Sequence, residues 1–530
     1  MARSIFTLLA LAILLGGCLA EEPPRGGLKG VPISYPELEA FFLDWRSSLQ
    51  PKEIDGVPDY SLSTMTTQYR QISRWKKRLE AMAISDWPVS QQVDWYLVWS
   101  EMNAMIFAHR VKKPWQRDPA FYIWHVDVTT APYPWDMPRV YGSLTMEKPA
   151  ESISTVEAQN MKEQLEKAPI LWAQAQKNLT GSARDLWLLG EKAFRQQSRD
   201  LRYLSNSLAK RYPDLAQTAE QVANASDEFA DWLLAEAESK TETSGVGRLE
   251  YTWNLRNVHL LPYSWSEERL LVEHELARTL SQVRLAQDRN RALSQWSADQ
   301  IEDTLSALPQ TYWTSLERRG IRTRSKEDSL RLQHRNWTTA YIQNWLEPGA
   351  QQPNPSWSTI RRMHRTTNLY DARMPSGLEE ILLQNALSEK GPRSQELVWM
   401  LLAQRAAYAL GALEQHGLEK DHQQATREAA GWIPEALSQL ANMEGHSQLE
   451  HRYLQHAGLG TSYVIGRQEV ERMIAVYARQ QDDDFSLANF VSAFDQSGPI
   501  PLSLIYWEVT GDKSLLNATL EKIRSDSSTQ

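Results

Sequence analysis

The chain has 530 residues, of which 42% are hydrophobic and 23% are charged, and its mean hydropathy is −0.52. This balance is typical of a folded chain that faces water, and it excludes a disordered chain and a polytopic membrane protein. The formal charge of −9 excludes a nucleic-acid-binding protein, which needs a basic face. The single cysteine excludes an internal disulfide and any site built from several thiolates.

Residues 1–17 have the pattern of a bacterial lipoprotein signal peptide. Arg3 is the only charged residue before Glu21, and the run from Ile5 to Leu15 is apolar with one exception. This run is too short to cross a bilayer as a helix, but it has the length of the apolar core of a signal peptide. We therefore expect the chain to be exported and the segment to be removed.

The signal peptide is followed by a predicted lipid anchor. The sequence LGGC, which ends at Cys18, resembles the bacterial lipobox, so Cys18 is the predicted lipidation site. Leu19 follows instead of an aspartate, which by resemblance to other lipoproteins favours the periplasmic face of the outer membrane. Residues 18–32 are rich in Glu, Pro and Gly and are predicted to form a flexible tether.

Residues 33–524 are predicted to form one large, mainly α-helical domain with few short strands. The expected helices are 64–84, 90–108, 178–204, one from Ser226, one from Ser264 or Ser266 to about Asp288, one capped by Ser394, and one that follows Gly466 and runs to Gln480. The best strand patterns are 121–128 and 248–253. We expect a lobe boundary near the proline-rich run 348–355 and a frayed tail at 525–530.

The segment 397–413, LVWMLLAQRAAYALGAL, is apolar almost all round, which predicts a helix buried in a large protein. Arg405 is its one charged residue. Because a buried guanidinium is costly unless it is paired, we expect a carboxylate or several carbonyl oxygens around it. Two interpretations stay open: an internal ion pair that fixes helix packing, or an anion-binding arginine in the wall of a cleft.

One group of aromatic residues lies in a segment interrupted by prolines. Its members are Phe121, Tyr122, Trp124, Tyr133, Trp135 and Tyr141. Such rings either hold an irregular loop to the body of the protein or form a rim that stacks on a ligand.

No pattern for a metal-dependent or nucleophilic enzyme is complete in the sequence. His274 begins like the zinc motif His-Glu-x-x-His, but the fifth residue is Arg278, whose fixed positive charge repels a metal. His446 and Glu450 are one helical turn apart and could share one ion. There is no Gly-x-Ser-x-Gly elbow, phosphate-binding loop or dinucleotide fingerprint. We predict no metal and no cofactor.

Several long segments, in order along nearly the whole chain after the signal peptide, carry a resemblance to a family. They are VDWYLVWSEMNAMIFAHR (93–110), PWQRDPAFY (114–122), WNLRNVHLLPYSWSEERLLVEHELART (253–279), YDARMPSGLEEILLQNALSEKGPRSQELVWMLLAQRAA (370–407), LGTSYVIGRQEVERMIAVYARQ (459–480) and FSLANFVSAFDQSGPIPLSLIYWEVTGD (485–512). These segments resemble bacterial exported proteins grouped as the domain of unknown function number eight-eight-five. The resemblance implies a helical fold similar to gluzincin metallopeptidases, with two lobes around a central cleft.

The chain departs from that family at the peptidase motif. Peptidase-like members carry His-Glu-x-x-Pro-Gly-His on a helix, whereas the comparable stretch 364–387 has Glu379 and Glu380 but no histidine pair. Two adjacent carboxylates on a helix point about 100° apart and do not replace a chelating pair. The candidates carried over as residues that line the cleft are His364, Arg373, Glu379, Glu380, Arg405 and Tyr463.

Each of these candidates also has a structural interpretation, such as a hydroxyl of Tyr463 that bonds to backbone, or acids that favour the positive end of a helix. The leading hypothesis is a membrane-anchored periplasmic lipoprotein that binds a peptide or cell-envelope fragment. One alternative is an active metallopeptidase with ligands from separate segments, such as His446 and Glu450. The other is a structural or interaction lipoprotein. The expected partners are the membrane, through Cys18, and that ligand, but not nucleic acid.

Overall fold

The computed structural model describes residues 31–49, 52–127, 143–145, 153–321, 356–364, 378–435, 437 and 446–529. Within these ranges the protein is mainly α-helical with few short strands, which confirms the predicted fold class. None of the helices in these ranges combines the length and the apolar character that a membrane span requires.

The helices from the N-terminus to residue 318 are numbered in chain order. They are α1 (Tyr35–Ser48), α2 (Leu62–Glu80), α3 (Val89–Phe107), α4 (Pro114–Arg117), α5 (Thr155–Leu165), α6 (Ala168–Asn178), α7 (Arg184–Leu208), α8 (Pro213–Ala237), α9 (Arg248–Asn257), α10 (Trp265–Arg289), α11 (Ala298–Ser306) and α12 (Leu308–Arg318). A π-helical turn, Ala108–Lys112, continues α3, and a 3₁₀ turn, Pro119–Tyr122, follows α4.

The remaining helices follow in the C-terminal part of the chain. They are α13 (Thr359–Met363), α14 (Leu378–Ser388), α15 (Pro392–His416), α16 (His422–Trp432), α17 (His446–Gln455), α18 (Ser462–Gln481), α19 (Leu487–Ser497), α20 (Leu502–Thr510) and α21 (Ser514–Thr529). A 3₁₀ turn, Asp482–Asp484, separates α18 from α19.

Capping boxes fix where four of these helices begin, because a side chain before the helix and one three residues later satisfy each other's backbone N–H groups. The pairs are Ser154 with Glu157 for α5, Ser264 with Glu267 for α10, Ser297 with Gln300 for α11, and Asp421 with Gln424 for α16. Of the two caps that the sequence offers for α10, the structure uses Ser264.

The strands are short and form pairs. They are β1 (Val31–Pro32), β2 (Glu53–Ile54), β3 (Val57–Pro58), β4 (Met82–Ala83), β5 (His125–Asp127) and β6 (Ser143–Thr145). Strands β1 and β4 pair in parallel, as do β5 and β6, whereas β2 and β3 form an antiparallel hairpin. Asp55 and Gly56 both have positive φ at the hairpin turn, which is the turn chemistry such hairpins favour.

Two hydrophobic clusters contain most of the described buried apolar side chains. The first runs from Leu38 to Ile523 and joins α1–α3 to α9 and the helices that follow. The second runs from Val57 to Ala237 and is built largely on α5–α8. In its centre Phe194 and Phe229 have ring centroids 4.6 Å apart, and Trp172 packs edge-on against Phe194. The predicted lobe boundary at 348–355 lies outside the described residues.

The helix predicted to be buried is confirmed. From residue 397 to residue 413, α15 is buried at every position except Trp399 and Leu410, which are partly buried. Its C-terminal end packs so closely on α10 that a Cβ added at Gly417 would lie 2.6 Å from the indole of Trp265. That indole donates a hydrogen bond to the carbonyl of Leu413, at 2.8 Å.

Several predicted element bounds are wrong. The stretch 178–204 contains a break, since α6 ends at Asn178 and α7 begins at Arg184, and Ser226 lies inside α8. The predicted strand at 248–253 is the helix α9, because Tyr251 and Leu255, four residues apart, face the first cluster. Helix α15 begins at Pro392, before the predicted cap at Ser394, and α18 begins at Ser462, before Gly466.

Helix α3 is buried along most of its length although it carries two paired carboxylates. The Glu101 carboxylate accepts hydrogen bonds from Arg46 at 2.6–3.0 Å and lies 2.5 Å from Nδ1 of His364. The Asp94 carboxylate accepts from Arg361 at 2.6 Å and from the hydroxyl of Tyr35 at 2.5 Å. Burial alone would raise the pKa of Glu101, but Arg46 and His364 outweigh burial and hold that pKa below its ordinary value.

Replacing Glu101 with Gln is expected to lower the free energy of unfolding by about 3–5 kcal/mol, because it leaves the Arg46 guanidinium buried without its counter-charge. Urea unfolding at neutral pH measures the difference. Asp288→Asn is the matched control, since its ion pair with Arg291 is exposed. That change should shift stability by no more than about 0.5 kcal/mol. Equal stability of Glu101→Gln and the wild type would contradict the prediction.

Candidate functional site

Two of the predicted site residues, Arg405 and Tyr463, lie together in the interior. The guanidinium carbon of Arg405 in α15 is 4.0 Å from the centre of the Tyr463 ring at the start of α18. Both side chains are buried. A cation over an aromatic face in a desolvated place is attracted by the ring quadrupole, so the pair joins α15 to α18. The aromatic partner is one that the sequence did not predict.

A hydrogen-bonded chain of polar groups lies next to this pair. The hydroxyl of Tyr251 donates to the Glu268 carboxylate at 2.8 Å and lies 3.1 Å from the Thr461 hydroxyl, two residues before Tyr463. Burial, and then the charge of Glu268, raise the pKa of Tyr251 well above its ordinary value. The arrangement keeps a neutral phenol beside a carboxylate and ties α9, α10 and the turn before α18 together.

The other predicted site residues are placed differently. His364 is buried against Glu101, in the network that holds α3. Glu379 and Glu380 lie in the first turn of α14, and their side chains, like Arg373, are outside what the structure describes. Whether these residues line a cleft with Arg405 stays a prediction.

The aromatic segment has a packing role over the part that is described. Phe121, Tyr122 and Trp124 belong to the second hydrophobic cluster. The hydroxyl of Tyr122 donates to the Trp115 carbonyl at 2.8 Å, which holds the chain just after α4. Tyr133, Trp135 and Tyr141 lie outside the described residues.

The search for metal ligands gives no cluster in the described part of the chain. No group of three or more His, Cys, Asp or Glu side chains there has the proximity that an ion needs. His446 and Glu450 lie on α17, but their side chains are not among those described. Glu275, the residue after His274, is engaged by Arg278 at 2.6 Å and by Arg467 at 3.0 Å.

An open pocket of about 510 Å³ lies where the chain passes from α8, in the second cluster, to α9, in the first. We call it the Arg117 pocket. Its lining residues come from the π-helical turn, α4, the loop after α8 and the start of α9: Arg110, Val111, Arg117, Glu242, Thr243, Gly245, Val246 and Glu250. Two arginines and two glutamates give this lining no net formal charge.

The two arginines of the Arg117 pocket are held in different ways. Arg110 forms a bidentate ion pair with Glu250, at 2.6 and 2.7 Å, and lies over the Trp253 ring. The Arg117 guanidinium instead donates only to carbonyl oxygens, those of Val111 and of residues 243–245, at 3.3–3.5 Å. These distances exceed the usual 2.9–3.0 Å of such bonds. Burial lowers the pKa of Arg117, and the nearby charges of Glu242 and Asp118 oppose that shift.

The loop 242–247 is fixed on both sides of these carbonyls. The backbone of Glu242 bonds to Ser182 and Arg184, and the Ser244 hydroxyl accepts from the N–H groups of Asp185 and Leu186, at 2.9 and 3.2 Å. A Cβ added at Gly245 would collide with the carbonyl oxygen of Gln415 at the end of α15. The loop therefore presents its carbonyls to Arg117 in one rigid arrangement.

Sequence reasoning did not single out the residues of this pocket. Arg117 lies in the quoted segment PWQRDPAFY, which entered only as part of the family resemblance. The clustered basic residues from His109 to Arg117 were a usable signal of a charged surface. Glu242 and Glu250 lie more than a hundred positions away in the sequence, and no local sequence pattern predicts that they line the same pocket.

Two buried histidines are close enough to the basic residues beside the pocket for the charges to act on them. Burial lowers the pKa of His416 to about 4 and that of His259 to about 3, and the charge of Lys112, next to Val111, adds to both shifts. Arg117 adds to the shift of His416 as well. The Nε2 atom of His416 is 2.9 Å from the carbonyl oxygen of Tyr453. Because that oxygen only accepts, Nε2 carries the proton of a neutral ring.

Comparison with known proteins supports the fold. No protein-family model matches the chain, and no curated protein matches it, so the predicted family resemblance and the gluzincin-like fold are not confirmed. A solved structure from Shewanella oneidensis, described as a "putative lipoprotein of unknown function", is similar with a TM-score of 0.57 and 14% identity, over 89% of this chain and 99% of that one. A second solved structure, described as a "putative lipoprotein" from Colwellia psychrerythraea, is similar with a TM-score of 0.61 and 13% identity, over 90% of this chain and 99% of that one.

His416→Gln is expected to reduce the loss of stability on acidification. The native ring stays neutral down to about pH 4, whereas the unfolded ring takes up a proton below about pH 6.5, so stability present at neutral pH is lost as pH falls through that window. At pH 5 this loss is about 2 kcal/mol for one such histidine. Urea unfolding at pH 7.5 and pH 5 measures it, and His274→Gln, at an exposed position, is the control. An unchanged pH dependence in His416→Gln would contradict the assignment.

Proposed function

We propose that this protein is a lipid-anchored protein of the bacterial cell envelope that binds a peptide or cell-envelope fragment in the Arg117 pocket. The observation that carries the ligand-binding part is the pocket itself. It is open, it lies at the junction of two packed clusters, and it presents charges of both signs on a rigid frame. Ligand sites are typically concave and preformed, with a few fixed polar groups.

The envelope location rests on the N-terminus and on the neighbours. The apolar run and the LGGC sequence at Cys18 have the form of a lipoprotein export signal. The two solved structures described above are each reported as a "putative lipoprotein", and they share the fold over about nine tenths of this chain. Acylation at Cys18, with Leu19 after it, would direct the protein to the periplasmic face of the outer membrane.

Cys18→Ser is expected to abolish labelling with radioactive palmitate and to move the protein from the membrane to the soluble fraction after cell breakage. The reason is that several acyl chains on Cys18 hold a protein stably to a membrane, and the substitution removes them. No helix among the described residues has the length and apolar character of a membrane span. A variant that still fractionates with membranes and takes up palmitate would overturn the anchoring proposal.

Ligand binding is tested by thermal or urea unfolding of the protein with a panel of envelope peptides and muropeptides. A ligand at 100 times its dissociation constant stabilises the native state by about 2.7 kcal/mol. We expect at least one panel member to stabilise the wild type and to have less effect on Arg117→Gln. Absence of any stabilisation would instead favour a structural role.

A further inference from the structure

Arg117 differs from Arg110, the other arginine of the pocket, because no described carboxylate forms an ion pair with it. Arg110, seven positions earlier, has both N–H arms on the Glu250 carboxylate. Arg117 is partly buried and meets only long contacts to carbonyl oxygens. A desolvated guanidinium satisfied by weak neutral acceptors gains most from an anionic ligand, since charge-assisted bidentate bonds are the strongest it makes.

The position of Arg117 is built into the fold. The N–H of Gly181 donates to the carbonyl of Gln116 at 2.8 Å, and a Cβ at Gly181 would lie 2.8 Å from the Cγ of Arg117. On its other side the carbonyls of the loop 242–247 surround one end of the guanidinium. The side chain is therefore held in place before any ligand arrives, which reduces the entropy that binding costs.

The remaining charged residues of the pocket limit the kind of anionic ligand that can bind to Arg117. Glu242 is exposed at the rim, and its backbone, not its side chain, holds the loop. With Glu250 also in the lining, a multiply charged phosphate would meet repulsion from two carboxylates. A ligand that carries one carboxylate and one ammonium matches a lining that holds charges of both signs and no net formal charge.

We propose that Arg117 binds the free carboxylate of a short zwitterionic peptide and that Glu242 binds its ammonium group. This inference rests on the proposed peptide-binding function. It adds the class of ligand and the two residues that bind the termini of that ligand. Val111 and Val246 supply apolar surface in the same lining. The ion pair of Arg110 with Glu250 forms the fixed wall on the α9 side.

The test is isothermal titration calorimetry of the full chain with L-alanyl-L-alanine, its C-terminal amide and its N-acetyl form. We expect the unblocked dipeptide to bind and each blocked form to bind roughly tenfold more weakly, because each loses one charge-assisted contact. An amide that binds as tightly as the acid, or a dipeptide that does not bind, would overturn the inference without any mutation.

Two variants separate the two ends of the ligand. Arg117→Gln should remove the preference for the acid over the amide, and Glu242→Gln should remove the preference for the free amine over the N-acetyl form. Glu242→Gln keeps the test valid if Arg117→Gln does not fold, since the Glu242 side chain is exposed. Arg291→Gln, at a side chain that is 83% exposed, should change neither preference.

The outcomes distinguish this inference from the proposed function. If a larger envelope fragment stabilises the protein equally in the wild type and in Arg117→Gln, the protein binds such fragments but not through Arg117, and the inference fails. If neither the dipeptide nor any envelope fragment binds, the inference and the proposed function fail together. If the free dipeptide binds, and binds more tightly than its amide and its N-acetyl form, both the inference and the proposed function are supported.

Discussion

The need to pair the carboxylates buried on α3 fixes how the distant parts of this chain come together. Asp94 and Glu101 are seven residues apart and therefore lie on one face of the helix, two turns from each other. A buried carboxylate is tolerated only with a cation or several donors beside it. Arg46 from α1, and Arg361 and His364 around α13, supply these partners.

The same pairing explains why residues so far apart in sequence pack as one cluster. Arg361 also reaches the Glu508 carboxylate at 2.6 Å and the Ser497 carbonyl at 3.0 Å, which brings α19 and α20 onto α3. Apolar burial supplies most of the stabilising free energy but has no direction. The ion pairs select one register for α13 against α3, since a shift of one residue would leave charges buried without partners.

Much of the fold was predictable because it depends on local patterns. The burial of α15 follows from a 17-residue segment that is apolar except at Gln404 and Arg405, and the start of α10 follows from the capping chemistry of Ser264. The helix α9 was mistaken for a strand because Arg248–Trp253 alternates polar and apolar residues over a few positions. Its helical period shows only when Leu255 is included, and periodicity in short windows does not separate the two states.

The site was less predictable because its parts interact across long separations. Arg405 was recognised from the cost of burying its charge, but no local rule places the ring of Tyr463 over it. Arg117 is the last residue of the short helix α4, and carbonyl oxygens more than a hundred residues later form one side of its environment. Every residue has a backbone carbonyl, whatever its side chain. A site that is formed by carbonyl oxygens is therefore hard to recognise from the composition of the sequence or the spacing of its residues.

That dependence on backbone also limits what similarity of fold implies. Two solved structures share this fold at 13 and 14% identity, a level at which packing is retained while most side chains differ. The Arg117 pocket requires an arginine after α3, small residues at 181 and 245 where the chains approach closely, and an acid at 242. A neighbour that lacks this combination can keep every helix of the frame and still have no place for a zwitterionic ligand, because the frame sets the shape of the junction and these few positions set its charge.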